Sequence, residues 1–360
     1  MARYVPGKSL KQAERESGVR SIKLASNENP FGPSPLAIEA IKRAAAEVHW
    51  YPEIESPELR QVLAEKHGVS PDHVLVTAAT SSLLRIIGYT FLAPGLNAIT
   101  SELSFISYPI LAQSAGAMMV KVPMRNYGYD LDGILAAVNS DTRVILFANP
   151  NNPTGSLVPA DEVDRFLDRV PPHVLVVLDE AYSDFAEAFA AERGVEYSHA
   201  IRYIREGRNV VVARTFSKAQ GLAGLRLGYG LGHPSVIQNF DRVKTVFSVS
   251  TIAEAAGIAA LQDHEHMRKT ISNNLTGAKF LTGKLTEMGF AVLPTWANFV
   301  YVDVAEDSVA MAKRLEAEGI IVRPLAGWGA KTALRVTVGR PEENEAFVGA
   351  LKKLVSAAVK

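Results

Sequence analysis

Four segments of the sequence concentrate the carboxylate, amine, hydroxyl and amide groups that could do chemistry together. These segments are Thr77–Ser82, Asn149–Gly155, Asp179–Tyr182 and Arg214–Lys218. Each follows a short apolar run rich in β-branched residues, a pattern typical of a buried parallel strand. Because ligands in open α/β sheets bind at the carboxyl ends of strands, we expect the four segments to converge on one pocket.

Lys218 and Asp179 are the residues in these segments that suit one cofactor, pyridoxal 5'-phosphate (PLP). PLP needs an amine for a Schiff base, an acid that keeps its pyridine nitrogen protonated, and donors for its phosphate. Lys218 would supply the amine, and Asp179 would pair with the pyridinium so that the ring accepts electrons from the substrate's α-carbon. Charge and a helix start would hold the phosphate, and an amide and a phenol would reach the ring hydroxyl. The residues predicted for these tasks are Ala79, Thr80, Ser217 and Arg226 for the phosphate, and Asn152 and Tyr182 for the hydroxyl.

Strand and helix patterns alternate along the part of the chain that carries these segments. Short apolar runs predict buried parallel strands, and stretches with helical periodicity predict helices between them. The strands are predicted at Val74–Val76, Val144–Phe147, Val174–Leu178 and Val210–Val212, and the helices at Leu83–Phe91 and Ala160–Val170. Such alternation predicts an α/β fold with a mainly parallel sheet flanked by helices.

The pattern changes after about residue 250. A long amphipathic helix is predicted over roughly Thr251 to Met288, with a break near Ser272–Asn273. Isolated strands are predicted beyond it at Phe299–Val302, Ile320–Val322 and Leu334–Val338. This order of elements predicts a second, smaller α+β domain.

Three parts of the chain are therefore expected. They are an N-terminal arm over residues 1–35, a large cofactor-binding domain over residues 36–250 and a small domain over residues 251–360. Several prolines predict that the arm is extended and that it packs on the small domain or on a partner subunit.

The composition excludes several other classes of site and partner. The 360-residue chain has 38 basic and 38 acidic side chains, so it lacks the excess of Lys and Arg that nucleic acid or an anionic membrane requires. It contains no cysteine, which excludes disulfides, thiolate metal sites and a cysteine nucleophile. No apolar run approaches the ~18 residues of a membrane helix, so a cytoplasmic location is expected. No metal is expected at His264 and His266, because residues two apart on a helix point in different directions.

The motifs and their order strongly resemble those of fold-type I PLP-dependent aminotransferases. The matching runs are Asn149–Gly155, Leu178–Tyr182, Arg214–Lys218 and Ala223–Gly228. Further runs are similar to the histidinol-phosphate aminotransferase family: Tyr4–Lys8, Leu24–Pro30, Tyr51–Pro52, Ala297–Phe299, Gly319–Arg323 and Leu334–Gly339. The resemblance covers nearly the whole chain, and it implies amino transfer between L-histidinol phosphate and 2-oxoglutarate in a homodimer with shared active sites.

The resemblance also implies roles for single residues. Lys218, Asp179 and Tyr182 would be catalytic, and Tyr51 would complete the phosphate cup of the neighbouring subunit. Arg335 would bind the carboxylate or phosphate of the substrate. Further substrate-side residues implied by the family are Arg323, Tyr4 and Asn27, and Phe105 takes the place of the tyrosine that usually stacks on the cofactor ring.

Two departures from the family pattern keep alternatives open. Phe105 lacks the hydroxyl of the usual tyrosine, and the segment Ala79–Ser82 lacks an acidic residue that usually follows the first strand. An aminotransferase for aromatic or other amino acids is therefore one alternative. A second is a PLP-dependent decarboxylase similar to threonine-phosphate decarboxylase, and a third is a regulatory module without catalysis. The third alternative would normally be fused to a DNA-binding segment, and no such segment is visible in the sequence.

Overall fold

The computed structural model describes residues 10–18 and 20–358 of the chain. Its strands are β1 (Ile22–Lys23), β2 (Val74–Thr77), β3 (Asn97–Ser101), β4 (Met118–Val122), β5 (Thr142–Ala148), β6 (Leu175–Asp179), β7 (Val210–Thr215), β8 (Gly228–Gly232), β9 (Ala291–Val292), β10 (Phe299–Asp303), β11 (Ile320–Ile321), β12 (Arg323–Pro324) and β13 (Ala333–Thr337). Its helices are α1 (Leu10–Ser17), α2 (Pro35–Ala44), α3 (Pro57–His67), α4 (Thr80–Phe91), α5 (Ser107–Ser114), α6 (Leu131–Ala136), α7 (Ala160–Leu167), α8 (Ser183–Arg193), α9 (Ala200–Arg205), α10 (Pro234–Val243), α11 (Thr251–Gln262), α12 (His264–Glu287), α13 (Ser308–Ala317) and α14 (Pro341–Ala358).

A seven-stranded sheet with the order β2-β8-β7-β6-β5-β3-β4 forms the centre of the fold. Strand β8 runs antiparallel to both neighbours, and the other paired strands run parallel. The prediction of a mainly parallel sheet is therefore confirmed. The sequence patterns identified β2, β5, β6 and β7, but they missed β3, β4 and β8. Strands β3 and β4 mix polar with apolar residues, and β8 reads Gly-Tyr-Gly-Leu-Gly, so none of the three gives a continuous apolar run.

Helices cover both faces of this sheet. Successive residues of β5 alternate between two apolar clusters, with Ile145 and Phe147 in one and Val144 and Leu146 in the other. Helices α3 and α7 pack into the first cluster, and α4 and α10 pack into the second. Each large apolar side chain buried in this way contributes roughly 1.5–3 kcal/mol. The two-sided core fixes the strands and so fixes the loops at their carboxyl ends.

A second, four-stranded sheet has the order β12-β13-β10-β9 and is antiparallel. Helices α12, α13 and α14 bury apolar side chains against it. Near the N-terminus, β1 pairs in parallel with β11, so Ile22 lies opposite Ile320. Residues Leu10–Ser17 are helical rather than extended, because nearly all of their residue types favour helix.

The long helix expected after residue 250 is broken at Asp263 rather than near Ser272–Asn273, so the predicted position of the break is wrong. The Asp263 carboxylate accepts a hydrogen bond from the His266 amide at 3.1 Å and caps the start of α12. The Asn273 amide instead donates outward to the Gly339 carbonyl at 3.0 Å, which leaves the helix backbone intact. Helix α11 packs on α2, and both helices contribute to the first of the two apolar clusters that cover the large sheet. Within the described part of the chain, no helix combines the length and apolarity that crossing a bilayer requires.

Candidate active site

The carboxyl ends of β5, β6 and β7 and the start of α4 border a cavity of about 300 Å³. The predicted site residues that line it are Asn27, Ala79, Thr80, Phe105, Asn152, Asp179, Tyr182, Ser217, Lys218, Arg226, Arg323 and Arg335. Tyr51 lies outside this cavity, and Tyr4 lies outside the described residues. The four strand-end segments therefore meet at one place, as the sheet topology requires.

Lys218 is the lysine that lines the cavity. Its Nζ donates a hydrogen bond to the Ser26 carbonyl at 3.0 Å. Burial, with a smaller contribution from the charge of Arg335, lowers the pKa of Lys218 to about 7. An amine with this pKa can both accept and release a proton at neutral pH, which suits general acid and base chemistry.

Asp179 ends β6 and is 4% exposed. Its Oδ2 accepts a hydrogen bond from the Tyr108 hydroxyl at 3.0 Å, and its Oδ1 accepts one from the Ala181 amide at 3.3 Å. Burial raises the pKa of Asp179 to about 6, and the hydrogen bond from Tyr108 opposes that rise. The carboxylate is thus held in one orientation at the cavity wall.

Asn27 connects the N-terminal segment to the cavity. Its Nδ2 donates to the Tyr182 hydroxyl at 2.9 Å, and its backbone amide donates to Thr337 Oγ1 at 2.9 Å. Asn27 has a φ of 56°, a left-handed conformation that asparagine tolerates better than most residues. The contact orients the buried phenol of Tyr182, which packs edge-on against Phe299.

Arg335 lies on β13 and joins three separate segments. Its Nη1 donates to Asn152 Oδ1 at 2.5 Å, and its Nη2 donates to the Ala25 carbonyl at 2.8 Å. Arg323 lies directly opposite Arg335 in the β12–β13 pair. Like charges in opposite positions of a sheet repel each other, and an anion between them would relieve that repulsion. The pair therefore favours an anionic ligand at this end of the cavity.

The start of α4 presents amides to the same cavity. Ala79 caps the helix with a φ of 72°, and the first amides of a helix have no acceptor within the helix. A β-carbon on Gly228 would lie 2.7 Å from the Thr80 amide nitrogen, so glycine allows β8 to pass close to this helix start. Arg226 also has a left-handed conformation, with a φ of 55°, and lines the same cavity. Such strained positions cluster at functional sites.

The segment Asn149–Gly155 divides its asparagines between structure and cavity. Asn149 exchanges two hydrogen bonds with the backbone of Val158, at 2.8 and 2.9 Å. Asn151 accepts from the Tyr129 hydroxyl at 2.9 Å and donates to Thr154 at 2.8 Å. These contacts fix the loop, and they leave Asn152 as the asparagine of the three that reaches the cavity.

A buried ion pair links the end of β6, where Asp179 lies, to β7, the strand that precedes Lys218. Glu180 Oε2 accepts hydrogen bonds from Arg214 Nε at 3.0 Å and Nη2 at 2.7 Å. The second carboxylate oxygen accepts from the Ser198 hydroxyl at 2.5 Å. The Glu180 side chain is 1% exposed and that of Arg214 is 13% exposed, and the pair ties the ends of β6 and β7 together.

The model of the protein family aminotransferase class I and II matches residues 19–351 of this chain. The chain belongs to that family. It is similar to histidinol-phosphate aminotransferase from Moorella thermoacetica, with 41% identity over 98% of this chain and 90% of the relative. It is also similar to histidinol-phosphate aminotransferase 2 from Pseudomonas aeruginosa, with 43% identity over 98% of this chain and 95% of the relative.

Among solved structures, this aminotransferase is similar to histidinol-phosphate aminotransferase from Sinorhizobium meliloti in complex with pyridoxal-5'-phosphate. The TM-score is 0.90 at 31% identity, and the match covers 98% of this chain and 96% of that one. The predicted fold-type I architecture and the resemblance to histidinol-phosphate aminotransferases are therefore confirmed.

Tyr51 does not line the cavity of its own chain in this aminotransferase. Its side chain is 83% exposed, and its ring lies 4.7 Å from that of Phe247. Exposed apolar side chains also occur near these two residues in the sequence, namely Val48, Trp50, Ile54 and Val246. The position leaves the tyrosine available to a neighbouring subunit, and that role stays a prediction.

The sequence patterns missed several groups that matter at this site. Tyr108 follows Phe105 by one helical turn, and that spacing after β3 was the signal that could have identified it. Trp328 lies in a short 3-10 turn, Ala326–Trp328, and its ring is 5.8 Å from the guanidinium of Arg323. Arg214 and Glu180 lie inside recognised motifs, but their pairing depends on strand register that no local pattern shows.

Proposed function

We propose that this aminotransferase uses PLP to move an amino group between L-histidinol phosphate and 2-oxoglutarate. The observation that carries the proposal is the placement of Lys218 and Asp179 on one cavity that Arg335, Arg323 and the start of α4 also line. The names of the relatives support the choice of amino donor.

The groups around the cavity fit PLP. Bound PLP carries an aldehyde that links to a lysine amine and a protonated ring that withdraws electrons from a substrate's α-carbon. Asp179, fixed by Tyr108, would face the ring nitrogen, and a cation there would favour its ionised form. Phe105 would stack on the ring. The phosphate would be held by Ala79, Thr80, Ser217 and Arg226, and the ring hydroxyl by Asn152 and Tyr182.

Lys218 would move protons during the reaction. Its lowered pKa means that a large fraction of the amine is neutral near pH 7, so it can take the proton from the substrate α-carbon. The same amine can then return the proton to the cofactor carbon. A single hydrogen bond to a backbone carbonyl holds the amine within the cavity.

Substrate anions would bind at Arg335. The residue is 5% exposed and its guanidinium is positioned by Asn152 and Ala25, so little side-chain entropy remains to be lost on binding. Arg323 and Asn27 line the same region, and Tyr4 is proposed as a further contact from the N-terminal arm. A guanidinium can bind a carboxylate or a phosphate with two parallel hydrogen bonds, which allows one arginine to serve both substrates.

We further propose a cytoplasmic homodimer in which Tyr51 contributes to the phosphate site of the partner subunit. Trp50, Tyr51 and Phe247 are exposed apolar residues, and exposed apolar residues of this kind favour contacts with another protein. They therefore support the proposal that a partner subunit covers this surface. We also propose the division into an arm over residues 1–35, a large domain over residues 36–250 and a small domain over residues 251–360.

Product analysis tests the function. The purified protein is incubated with 2-oxoglutarate and one donor at a time, namely histidinol phosphate, phenylalanine, tyrosine or histidine, and glutamate is measured. We expect the highest kcat/KM with histidinol phosphate. Preference for phenylalanine or tyrosine would favour an aromatic aminotransferase, and carbon dioxide release from an amino acid without glutamate formation would favour a decarboxylase.

A further inference from the structure

The active-site cavity has one carboxylate to which none of the predicted roles is assigned. Among the described residues, the carboxylates that line the cavity are Asp179 and Glu28, and Asp179 is assigned to the cofactor ring. The other charged groups of its walls are cations, namely Lys218, Arg226, Arg323 and Arg335. Because Glu28 repels the substrate anions that these cations attract, it suits a part of a substrate that is cationic or donates a hydrogen bond.

Both sequence neighbours of Glu28 are buried asparagines that contact the reaction centre. The Asn27 side chain donates to the Tyr182 hydroxyl at 2.9 Å, and the Asn29 side chain donates to the Ala219 carbonyl at 2.8 Å. Ala219 directly follows the proposed cofactor lysine in the chain. The backbone of Glu28 is therefore fixed on both sides, so its carboxylate needs little reorganisation to meet a ligand.

An ion pair holds the Glu28 carboxylate by one of its oxygens. Its Oε1 accepts a hydrogen bond from Lys23 Nζ at 2.7 Å. The Lys23 side chain is 14% exposed, whereas that of Glu28 is 44% exposed. No hydrogen bond to Glu28 Oε2 is found within the described part of the chain. The second oxygen is therefore available to a ligand in the cavity.

The charge of Glu28 acts on the reacting end of the cavity. Burial and the charge of Arg335 lower the pKa of Lys218, and Glu28 opposes them more strongly than Asp179 does. Because Coulomb interactions weaken with distance, this order indicates that the Glu28 carboxylate lies on the Lys218 side of the cavity. A donor that reacts at Lys218 would bring its side chain to the same region.

We propose that Glu28 binds the imidazole ring of the amino donor and so selects this ring over other side chains. The proposal rests on the proposed function, in which the donor is histidinol phosphate. Arginine would bind the phosphate of that donor and its amine would react at the cofactor, so the ring nitrogens are the polar groups still without a partner. An imidazole N–H needs an acceptor, and the ring gains a positive charge below its ordinary pKa of about 6.5, which strengthens the contact with a carboxylate.

Glu28→Gln tests the charge in both half-reactions. We expect kcat/KM for histidinol phosphate to fall about tenfold relative to kcat/KM for glutamate, the scale of one charge-assisted contact. The ratio of the two donors isolates the contact, because any effect of Glu28 on Lys218 enters both half-reactions. KM for glutamate and 2-oxoglutarate should stay the same or fall, since the variant removes a charge that repels their carboxylates. An equal loss for both donors would overturn the proposal.

Two control variants separate the ring contact from the ion pair. Lys23→Met breaks the same pair but keeps the carboxylate, so the ratio of the two donors should stay near that of the wild type. Glu345→Gln, at an exposed position of α14, should leave both half-reactions unchanged. If Lys23→Met lowers the ratio as much as Glu28→Gln does, the pair with Lys23 is structural and the proposal is wrong.

Binding of ligands without an amine gives a measurement that does not depend on turnover. Imidazolepropionate and phenylpropionate share a carboxylate and differ in the ring, and each is titrated into the PLP-loaded protein by calorimetry. The wild-type protein should prefer imidazolepropionate, and Glu28→Gln should lose about tenfold of that preference. An unchanged preference in Glu28→Gln would overturn the proposal. If the wild-type protein shows the preference but forms no glutamate from histidinol phosphate, the proposed function fails and the ring contact stands.

Discussion

The hydroxyl of Tyr108 donates a hydrogen bond to Oδ2 of Asp179 at 3.0 Å, and both side chains are buried. Tyr108 lies on α5 and Asp179 ends β6, so the contact crosses from a surface helix to the centre of the sheet. The hydrogen bond favours the ionised carboxylate, whereas burial raises the pKa of Asp179 to about 6. Tyr108 therefore keeps Asp179 charged over a wider pH range than burial alone would allow.

Replacing Tyr108 with phenylalanine should move the acidic side of the pH–rate profile to higher pH. Loss of the hydroxyl removes a contact that lowers the pKa of Asp179, so the pKa rises and a larger fraction is protonated at a given pH. The measurement is kcat/KM between about pH 5 and 9. Tyr89→Phe, at an exposed position, is the control and should leave the profile unchanged. An unshifted profile in Tyr108→Phe would show that this contact does not tune the acid.

Lys218→Ala should abolish the covalent link to PLP, because no other lysine lines the cavity among the described residues. The test is reduction with borohydride followed by mass spectrometry of the peptide that contains residue 218. Lys313→Ala, on an exposed helix face, should retain the adduct and the activity. A trapped adduct with full turnover in Lys218→Ala would refute the assignment of this lysine.

Asp179→Asn should retain PLP but slow catalysis severely. A neutral amide cannot stabilise a protonated ring nitrogen, so the loss should appear in kcat more than in cofactor affinity. Equilibrium dialysis of PLP and steady-state rates separate the two effects. A rate within about threefold of wild type, equivalent to roughly 0.7 kcal/mol of barrier, would contradict the assigned role.

At position 335, catalytic efficiency should fall in the order Arg, Lys, Ala for both half-reactions. Lysine keeps the charge but loses the two-pronged contact, and alanine loses both. PLP affinity should fall much less than kcat/KM, because Arg335 touches the proposed cofactor residues only through Asn152 and makes no contact with the start of α4. The prediction fails if Arg335→Ala weakens PLP binding as much as it lowers kcat/KM, or if the 2-oxoglutarate half-reaction keeps its wild-type rate.

Glu180→Gln should destabilise the protein strongly, because it removes the carboxylate that pairs directly with the largely buried Arg214. Breaking a buried pair from one side costs about 3–5 kcal/mol in the free energy of unfolding. Urea unfolding measures the change, and Asp161→Asn, which breaks the exposed pair with Arg165, should shift the midpoint little. If the two variants have equal midpoints, the Glu180–Arg214 pair does not hold the strand ends together.

Much of the site followed from local sequence patterns. Strands β2, β5, β6 and β7 were predictable because each is a short apolar run that ends abruptly in polar residues. Lys218, Asp179 and Asn152 lie directly at those ends, and the topology of parallel strands brings such ends together. The family resemblance then supplied Arg335 and Asn27, which lie far from these segments in sequence.

Other features depended on contacts between distant segments. The long helix is broken at Asp263 because the side chain of that residue caps the start of α12. The helix continues through Asn273, whose side chain donates to an acceptor outside the helix. The glycine-rich sequence of β8 does not predict a strand. The strand nevertheless passes so close to α4 that a side chain on Gly228 would clash with the start of that helix.

The sequence by itself determined the fold class, the family and the residues at the strand ends, because these depend on periodicity and on motifs only a few residues long. Tertiary structure decided which groups face one another: Tyr108 and Asp179, Glu180 and Arg214, and Asn152 and Arg335. The physical reason is that hydrogen bonds and ion pairs act over a few ångströms. Separations of that size are set by strand register and helix packing, which no local pattern in the chain encodes.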